Sequence, residues 1–355
     1  MSVPLLDEAI LQALADGAEA ADAEPAWPTA SWDVLRGSGV LRWAIPPEYG
    51  GLGLDASALL TGYERLAGAC LTTTFLLSQR DAAVRRLCDL GGETVRRRWL
   101  PGLAGGDLFL TVGLSQLTTS RQHRSPALTA VPIEKGSNTT AYILNGLIPW
   151  VSGGDRADAV LVGATLADGR QLLATLPRGR EGVTVEPPLA LGALLGSRTT
   201  ALHCDGVRIE ADEVFAGPVE RVLSGSKGGG GLETSCLGLG LTGVAVALLQ
   251  REAESRPELR RAAEGFARAR DNLRRRLHQL TSGAPPAETA AVRVAANRLV
   301  LAATQAALMA AKGTGFVRPH PAQRWARQAL FFLVWSCPRP TAEGTMDHLL
   351  AMAVE

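Results

Sequence analysis

Between about residue 110 and residue 216 the chain reads differently from everything before and after it, and this interruption constrains the fold most strongly. Short β-rich runs follow one another there, at 128–133, 142–151, 159–165, 171–176, 183–185 and 201–209. Asn145-Gly146, Asp168-Gly169 and Asp205-Gly206 punctuate them, and short strands separated by such pairs predict a small barrel or sandwich. The flanks are helical. Leu59, Leu60, Tyr63, Leu66 and Ala67 recur at helical spacing, and Val95 with Trp99 make a further face before Pro101. Beyond the flexible-looking Ser224-Gly225-Ser226-Lys227-Gly228-Gly229-Gly230-Gly231 run, Leu259, Ala262, Phe266, Leu273, Leu277 and Leu280 keep one packing seam. Residues 287–311 are apolar on most faces and predict a buried helix. The expected class is α+β: an N-terminal helical domain (1–108), a central small β-barrel or sandwich (109–222) and a C-terminal four-helix-type bundle (223–355).

Bulk properties narrow the function. A net charge of +1 gives no field to draw nucleic acid or an anionic membrane. The arginine triplets at 96–98 and 274–276 sit among helix formers and read as solvated faces. The five cysteines are scattered, odd in number and form no CxxC pair, which predicts neither a disulfide framework nor a zinc site. The five histidines are too dispersed to suggest a metal. The N-terminus lacks the basic-then-apolar order of a signal peptide, and no apolar run reaches about 18 residues, so a cytoplasmic protein is expected. GxSxG, HExxH, Walker and GxGxxG patterns are all missing.

Four local patterns occur in a telling order. Residues 45–53 read IPPEYGGLG, whose two prolines and three glycines demand a fixed loop rather than helix. Residues 145–152 read NGLIPWVS, residues 205–217 read DGVRIEADEVFAG, and Gly313-Thr314-Gly315-Phe316 leads to Pro321, Arg324 and Arg327. Together with the helix–strand–helix layout, these resemble the acyl-CoA dehydrogenase family over essentially the whole chain. The resemblance implies FAD bound between the β domain and the bundle. Trp150 would stand beside the flavin ring, and Ser152, two residues on and on the same strand face, would offer its hydroxyl to N5. Leu114 and Ser115 would bond the pyrimidine edge. Read without the rest of the chain, Trp150 is plain core and Ser152 a turn hydroxyl.

The resemblance also implies α,β-dehydrogenation of an acyl thioester: a carboxylate takes the α-proton while hydride passes to flavin N5. Two glutamates fit that carboxylate. Glu233, in Gly231-Leu232-Glu233-Thr234 with Gly243 ten residues on, matches members whose base opens the first bundle helix. Glu343, in Ala342-Glu343-Gly344-Thr345, resembles the usual EGT loop but comes about seven residues late, since the family's spacing reaches Ser336. Glu233 also suits a glutamate that merely complements a helix N-terminus.

Other positions depart from the pattern. No RxxFG segment follows the first bundle helix, and QxxGGxG becomes Met309-Ala310-Ala311-Lys312-Gly313-Thr314-Gly315. Lys312 and Gly313 are then candidate contacts to the cofactor, with Lys312 partly replacing the missing arginine. Arg121 and His123, in the loop that normally carries glycines and carboxylates, would face a phosphate or acidic carrier, or only solvent. Three functions stay open: an acyl thioester dehydrogenase passing electrons to a carrier such as electron-transfer flavoprotein, a flavin-dependent oxidase or monooxygenase on a non-CoA substrate, or a catalytically silent assembly protein. A homodimer or homotetramer is implied, because the family shares its cofactor site between subunits.

Overall fold

The computed structural model describes residues 6–118, 126–135, 138–224, 232–283 and 285–354, so Arg121, His123 and the glycine run at 225–231 lie outside the described residues. Six helices come first: α1 (Glu8–Asp16), α2 (Ala18–Ala23), α3 (Thr29–Gly37), α4 (Ala56–Ala69), α5 (Leu71–Leu90) and α6 (Glu93–Gly105). Aspartates start two of them, Asp7 accepting from Ile10 N at 2.9 Å and Asp55 from Ala58 N at 2.7 Å. The proline–glycine segment between α3 and α4 folds back on residues 42–45, with Leu52 N donating to Arg42 O and Leu54 N to Trp43 O. Gly51 there has no room for a side chain: a Cβ would lie 1.8 Å from Ile45 O.

Among the described residues eight strands follow: β1 (Leu110–Gly113), β2 (Leu128–Lys135), β3 (Asn138–Val151), β4 (Ala159–Thr165), β5 (Gln171–Pro177), β6 (Val183–Val185), β7 (Thr200–Glu210) and β8 (Val214–Val219). They join one mixed sheet in the order β6-β7-β3-β2-β4-β5-β8, with β1 parallel to β4. The sequence reading missed β1 and β8, which are short and carry little alternation. It also misplaced two turns. Asp168-Gly169 does turn the chain, but Asn145-Gly146 and Asp205-Gly206 lie inside β3 and β7. There the Asn145 side chain accepts from Gly206 N at 2.8 Å, across a register shift between Leu144 and Gly146. Gly146, at φ +123°, lets its strand pass Ala127 O, which a Cβ would meet at 2.0 Å.

The bundle contains α8 (Leu232–Ser255), α9 (Arg260–Gln279), α10 (Pro286–Ala310), α12 (Pro321–Phe331) and α13 (Arg339–Val354); a short turn, α11 (Lys312–Gly315), joins α10 to α12. Two helices show why the packing runs so close. Gly240 of α8 sits where a Cβ would meet Glu64 O of α4 at 2.3 Å, and Gly68 of α4 faces Gly240 O in return. Glu64, nearly buried, then accepts from Arg270 at 2.5 Å and Arg274 at 2.6 Å, clamping α9 to α4. The α9 seam is as expected at Leu273, Leu277 and Leu280, but Ala263 rather than Ala262 is the buried alanine.

The expectation that no segment reaches a bilayer's span needs correcting. By length and composition α8 does, with 24 residues and mean hydropathy 1.7 over its best window. Glycine, serine and threonine interrupt its apolar run, and 72% of that window is buried against the protein's own helices, so α8 is a core helix here.

The three parts are tied at Asp22 of α2, which is fully buried. Its Oδ1 accepts from Leu194 N of the sheet region and from Gln328 of α12, each at 2.9 Å. Its Oδ2 lies 2.8 Å from Arg327 Nη1.

Candidate active site

The side chains expected around a flavin ring come from two neighbouring chain reversals. β1 ends at Gly113, Leu114 is buried, and Ser115 opens a four-residue turn, α7 (Ser115–Thr118). Ser115 Oγ donates to Pro149 O at 3.1 Å, which fixes that turn beside the end of β3. Gln116 holds it from below, its Nε2 donating to Gly113 O and Gly163 O at 2.9 and 2.8 Å. Leu114, Ser115 and Trp150 are thus brought to one edge.

Trp150 and Ser152 do not share a strand face. The register against β7 slips between Ile148 and Val151, opposite Leu202 and Thr200, so one extra residue bulges out. Trp150 takes that place with φ +62° and is 53% exposed, whereas Ser152 is 4% exposed. Left-handed backbone at a large residue costs about 1–3 kcal/mol, and such strain concentrates at functional positions.

Ser152 belongs to a buried hydroxyl chain that the sequence reading did not find. Ser152 Oγ is 3.1 Å from Thr199 Oγ1, which is 2.9 Å from Ser197 Oγ. The segment is set by Arg198, itself left-handed and forked onto Asp155, and by Gly153 N donating to Ser197 O. Three hydroxyls joined by two hydrogen bonds leave one O–H to donate elsewhere. A ring with N–H and N acceptors along its edge fits this donor and acceptor set.

The candidate bases are placed very differently. Glu233 stands in the first turn of α8, opposite α5, 3.4 Å from Arg85 Nη2, with side chains 18% and 21% exposed respectively. Beneath them lies a closed polar core. Tyr63 donates to Asp81 Oδ2 at 2.6 Å, Asp81 Oδ1 accepts from Arg80 at 2.5 Å, and Arg80 reaches Leu103 O at 2.6 Å. Burial and the Asp81 charge push the Tyr63 hydroxyl well above the ordinary value. Burial acts to lower Arg85, yet the charges of Glu233, Tyr63 and Asp81 outweigh it and hold the guanidinium above normal. Arg86, next along α5, is pushed down to about 10 by burial and by the Arg85 charge. Ala83, Val84 and Leu87 of α5 pack into the same hydrophobic cluster as Leu114.

Glu343 lies within helix α13, where the sequence suggested a loop. It is exposed and accepts from Arg339, four residues back, at 2.6 Å. Ser336, the position the family's spacing reaches, is left-handed at φ +44°. It follows Trp335, which stacks on Phe331 and meets Phe75 of α5 edge-on at 4.8 Å.

Lys312 and Gly313 sit apart at the exposed end of α10, with Lys312 at φ +54°. Among the described residues Lys312 makes no ion pair. Arg256, the nearest substitute for the missing RxxFG arginine, is spent internally on Glu252 and on Ala310 O. Sequence reasoning passed over Arg85; the available signal was a doublet of arginines between apolar Ala83-Val84 and Leu87.

With the geometry in hand, the chain can be set beside known proteins. Residues 6–107 match the model described as acyl-CoA dehydrogenase, N-terminal domain. A probable acyl-CoA dehydrogenase, YngJ, of Bacillus subtilis (strain 168) is 24% identical over 213 residues, 58% of this chain and 55% of that protein. The human mitochondrial very long-chain specific acyl-CoA dehydrogenase is 27% identical over 52% of this chain and 29% of its own length. The chain therefore spans about half, or less, of these relatives. Among solved structures, butyryl-CoA dehydrogenase from Megasphaera elsdenii superposes with a TM-score of 0.80 over 99% of this chain and 100% of that one, at 18% identity.

Proposed function

We propose that this chain is a divergent member of the acyl-CoA dehydrogenase family that it resembles, an FAD-dependent oxidoreductase that dehydrogenates an acyl thioester between its α and β carbons. The observation that carries this reading is the exposed, left-handed Trp150, held by Ser115 beside the Ser152–Thr199–Ser197 hydroxyl chain. Hydroxyl and backbone groups at two chain reversals suit the polar edge of a flavin, and the indole suits its face. FAD, when bound, supplies the acceptor for the β-hydride.

The chain's own residues do the rest. Leu114 and Ser115 hold the pyrimidine edge through their backbone, and Ser152 donates its remaining O–H to the ring. Glu233 accepts the α-proton, since its carboxylate is partly buried yet reachable. Arg85, 3.4 Å away, keeps that carboxylate in place between turnovers. Lys312 adds positive charge at the far end of the cofactor, and Gly313 lets the backbone come near. Exposed Met309, Phe316 and Val317 around Lys312 support self-association at this end of the bundle. Electrons leave to a separate carrier.

The test is the visible spectrum of purified protein with and without added FAD, followed by anaerobic addition of acyl-CoAs. Flavin bands that bleach on addition support the reading. A protein that binds FAD but bleaches with no thioester removes the dehydrogenase assignment and leaves a flavoprotein acting on another substrate. One that binds no flavin removes the oxidoreductase assignment altogether.

A further inference from the structure

Helix α9 turns a surplus of positive charge outward. Between residues 260 and 276 it holds seven arginines against two carboxylates, in a chain whose net charge is +1. Two of the seven, Arg270 and Arg274, point inward onto Glu64 of α4. The other five, Arg260, Arg261, Arg268, Arg275 and Arg276, are exposed, so the triplet at 274–276 is not one face. Several exposed arginines elsewhere are matched: Arg36, Arg97, Arg208 and Arg339 each meet a carboxylate two to four residues away at 2.5–2.8 Å. On α9 the matching fails. Among the described residues Arg260, Arg261 and Arg276 form no ion pair, and Arg268 has only Glu264, at 3.5 Å. Arg275 bonds the neutral Asn272.

The spacing of these arginines is ordered. Arg261, Arg268 and Arg275 stand seven residues apart, so they fall on one line along the outer face, at intervals of about 10.5 Å. Ala262 and Ala269, also exposed, run beside that line and leave room for a second helix to lie close. A helix with carboxylates at the same seven-residue repeat meets all three guanidiniums, each shaped to fork onto a carboxylate. Two other anionic partners fit less well. Nucleic acid calls for a wider field than one stripe flanked by Glu264 and Asp271. A membrane surface calls for large apolar side chains, which this face lacks.

We propose that the outer face of α9 is a docking surface for a partner protein, which lays an acidic helix along Arg261, Arg268 and Arg275. The stripe runs toward the first turn of α8. Arg270 Nε donates to Leu239 O at 3.2 Å, and one turn on Arg274 and Glu233 both act by charge on Cys236. The partner is thus seated level with Glu233. Nothing in this depends on which reaction the site performs.

The test titrates the full-length protein into two labelled synthetic helical peptides and follows fluorescence anisotropy. One peptide carries glutamate at every seventh position; the other has the same composition with its glutamates scattered round the helix. At about 50 mM salt the first is expected to bind about tenfold more tightly, the range of a few exposed ion pairs acting together. Raising the salt to about 200 mM should weaken it severalfold. The preference should disappear in Arg261→Ser/Arg268→Ser/Arg275→Ser. If that variant fails to fold, Arg268→Glu alone still reports, by losing the preference at the centre of the stripe. Equal binding of the two peptides by the wild-type protein, or a preference unchanged in these variants, would overturn the proposal. So would tighter binding of single-stranded DNA or phosphatidylglycerol vesicles through the same arginines, which would assign the stripe to a nucleic acid or a membrane instead.

Discussion

Arg85 on α5 and Glu233 on α8 meet at 3.4 Å across the boundary between the N-terminal helices and the bundle, each about one-fifth exposed. The pair is open enough for a ligand to reach and buried enough for its charges to matter. It makes Glu233, rather than Glu343, the carboxylate to test first.

Glu233→Gln is expected to lower turnover by about 10²–10⁴-fold, the usual contribution of a positioned base, with flavin binding unchanged. Glu343→Gln should change turnover by no more than about twofold, as for an exposed surface substitution. Steady-state kinetics with matched flavin content decides it. Loss of activity in the second variant and not the first would reverse the assignment.

Lys312→Met is expected to weaken FAD by only about two- to fivefold, because Lys312 is exposed and solvent screens its charge. Fluorescence titration of the flavin measures this. An unchanged affinity would end the idea that Lys312 stands in for the missing arginine.

Asp22→Ala should destabilise the protein by about 3–5 kcal/mol, since it strips a buried carboxylate from Arg327 and frees two further donors. Asp22→Asn, which keeps the acceptor on Leu194 N and Gln328, should cost less. Urea unfolding of the two variants side by side gives the comparison.

Gly240→Ala is expected to cost about 1–3 kcal/mol, because its Cβ would press on Glu64 O, a backbone atom that cannot step aside. Gly265→Ala in α9 is the matched control. Nothing lies within 4 Å of its Cβ, so the gain in helix propensity should stabilise by about 0.5–1 kcal/mol. Opposite shifts in Tm are expected.

Stability should fall at alkaline pH through two thiols. Burial pushes Cys88 and Cys204 up to about 11 from 9.0. Between those values the unfolded chain holds fewer protons than the folded one, so their contribution is full below pH 9.0 and lost as pH rises towards 11. Urea midpoints at about pH 8 and about pH 10.5 should converge more closely in Cys88→Ala/Cys204→Ala than in the wild type. An identical slope in both proteins would show that other groups set the alkaline limit.

Much of the layout was legible in the chain. Alternation and turn residues revealed six of the eight strands because each had enough residues to show a period, whereas β1 and β8 did not. Asn145-Gly146 and Asp205-Gly206 misled because such a pair signals positive φ without saying whether it turns a hairpin or bulges a strand. Here each pair faces the other across β3 and β7, and only pairing decides between those outcomes.

The site was legible in part. Ser115, Trp150 and Ser152 could be picked out from local patterns, since each pattern is a backbone conformation written in a few consecutive residues. The bulge that turns Trp150 outward and Ser152 inward could not, because it comes from a slip in register against β7. Nor could the pairing of Arg85 with Glu233, 148 positions apart (233 − 85), or the hydroxyl chain through Thr199. By itself the sequence determined which segments coil, which pair and which carry chemistry, since those follow from side-chain periodicity and backbone preference over short distances. The tertiary structure decided which charges meet, because a carboxylate's role depends on what burial and neighbours do to it, and helix packing alone brings those neighbours in.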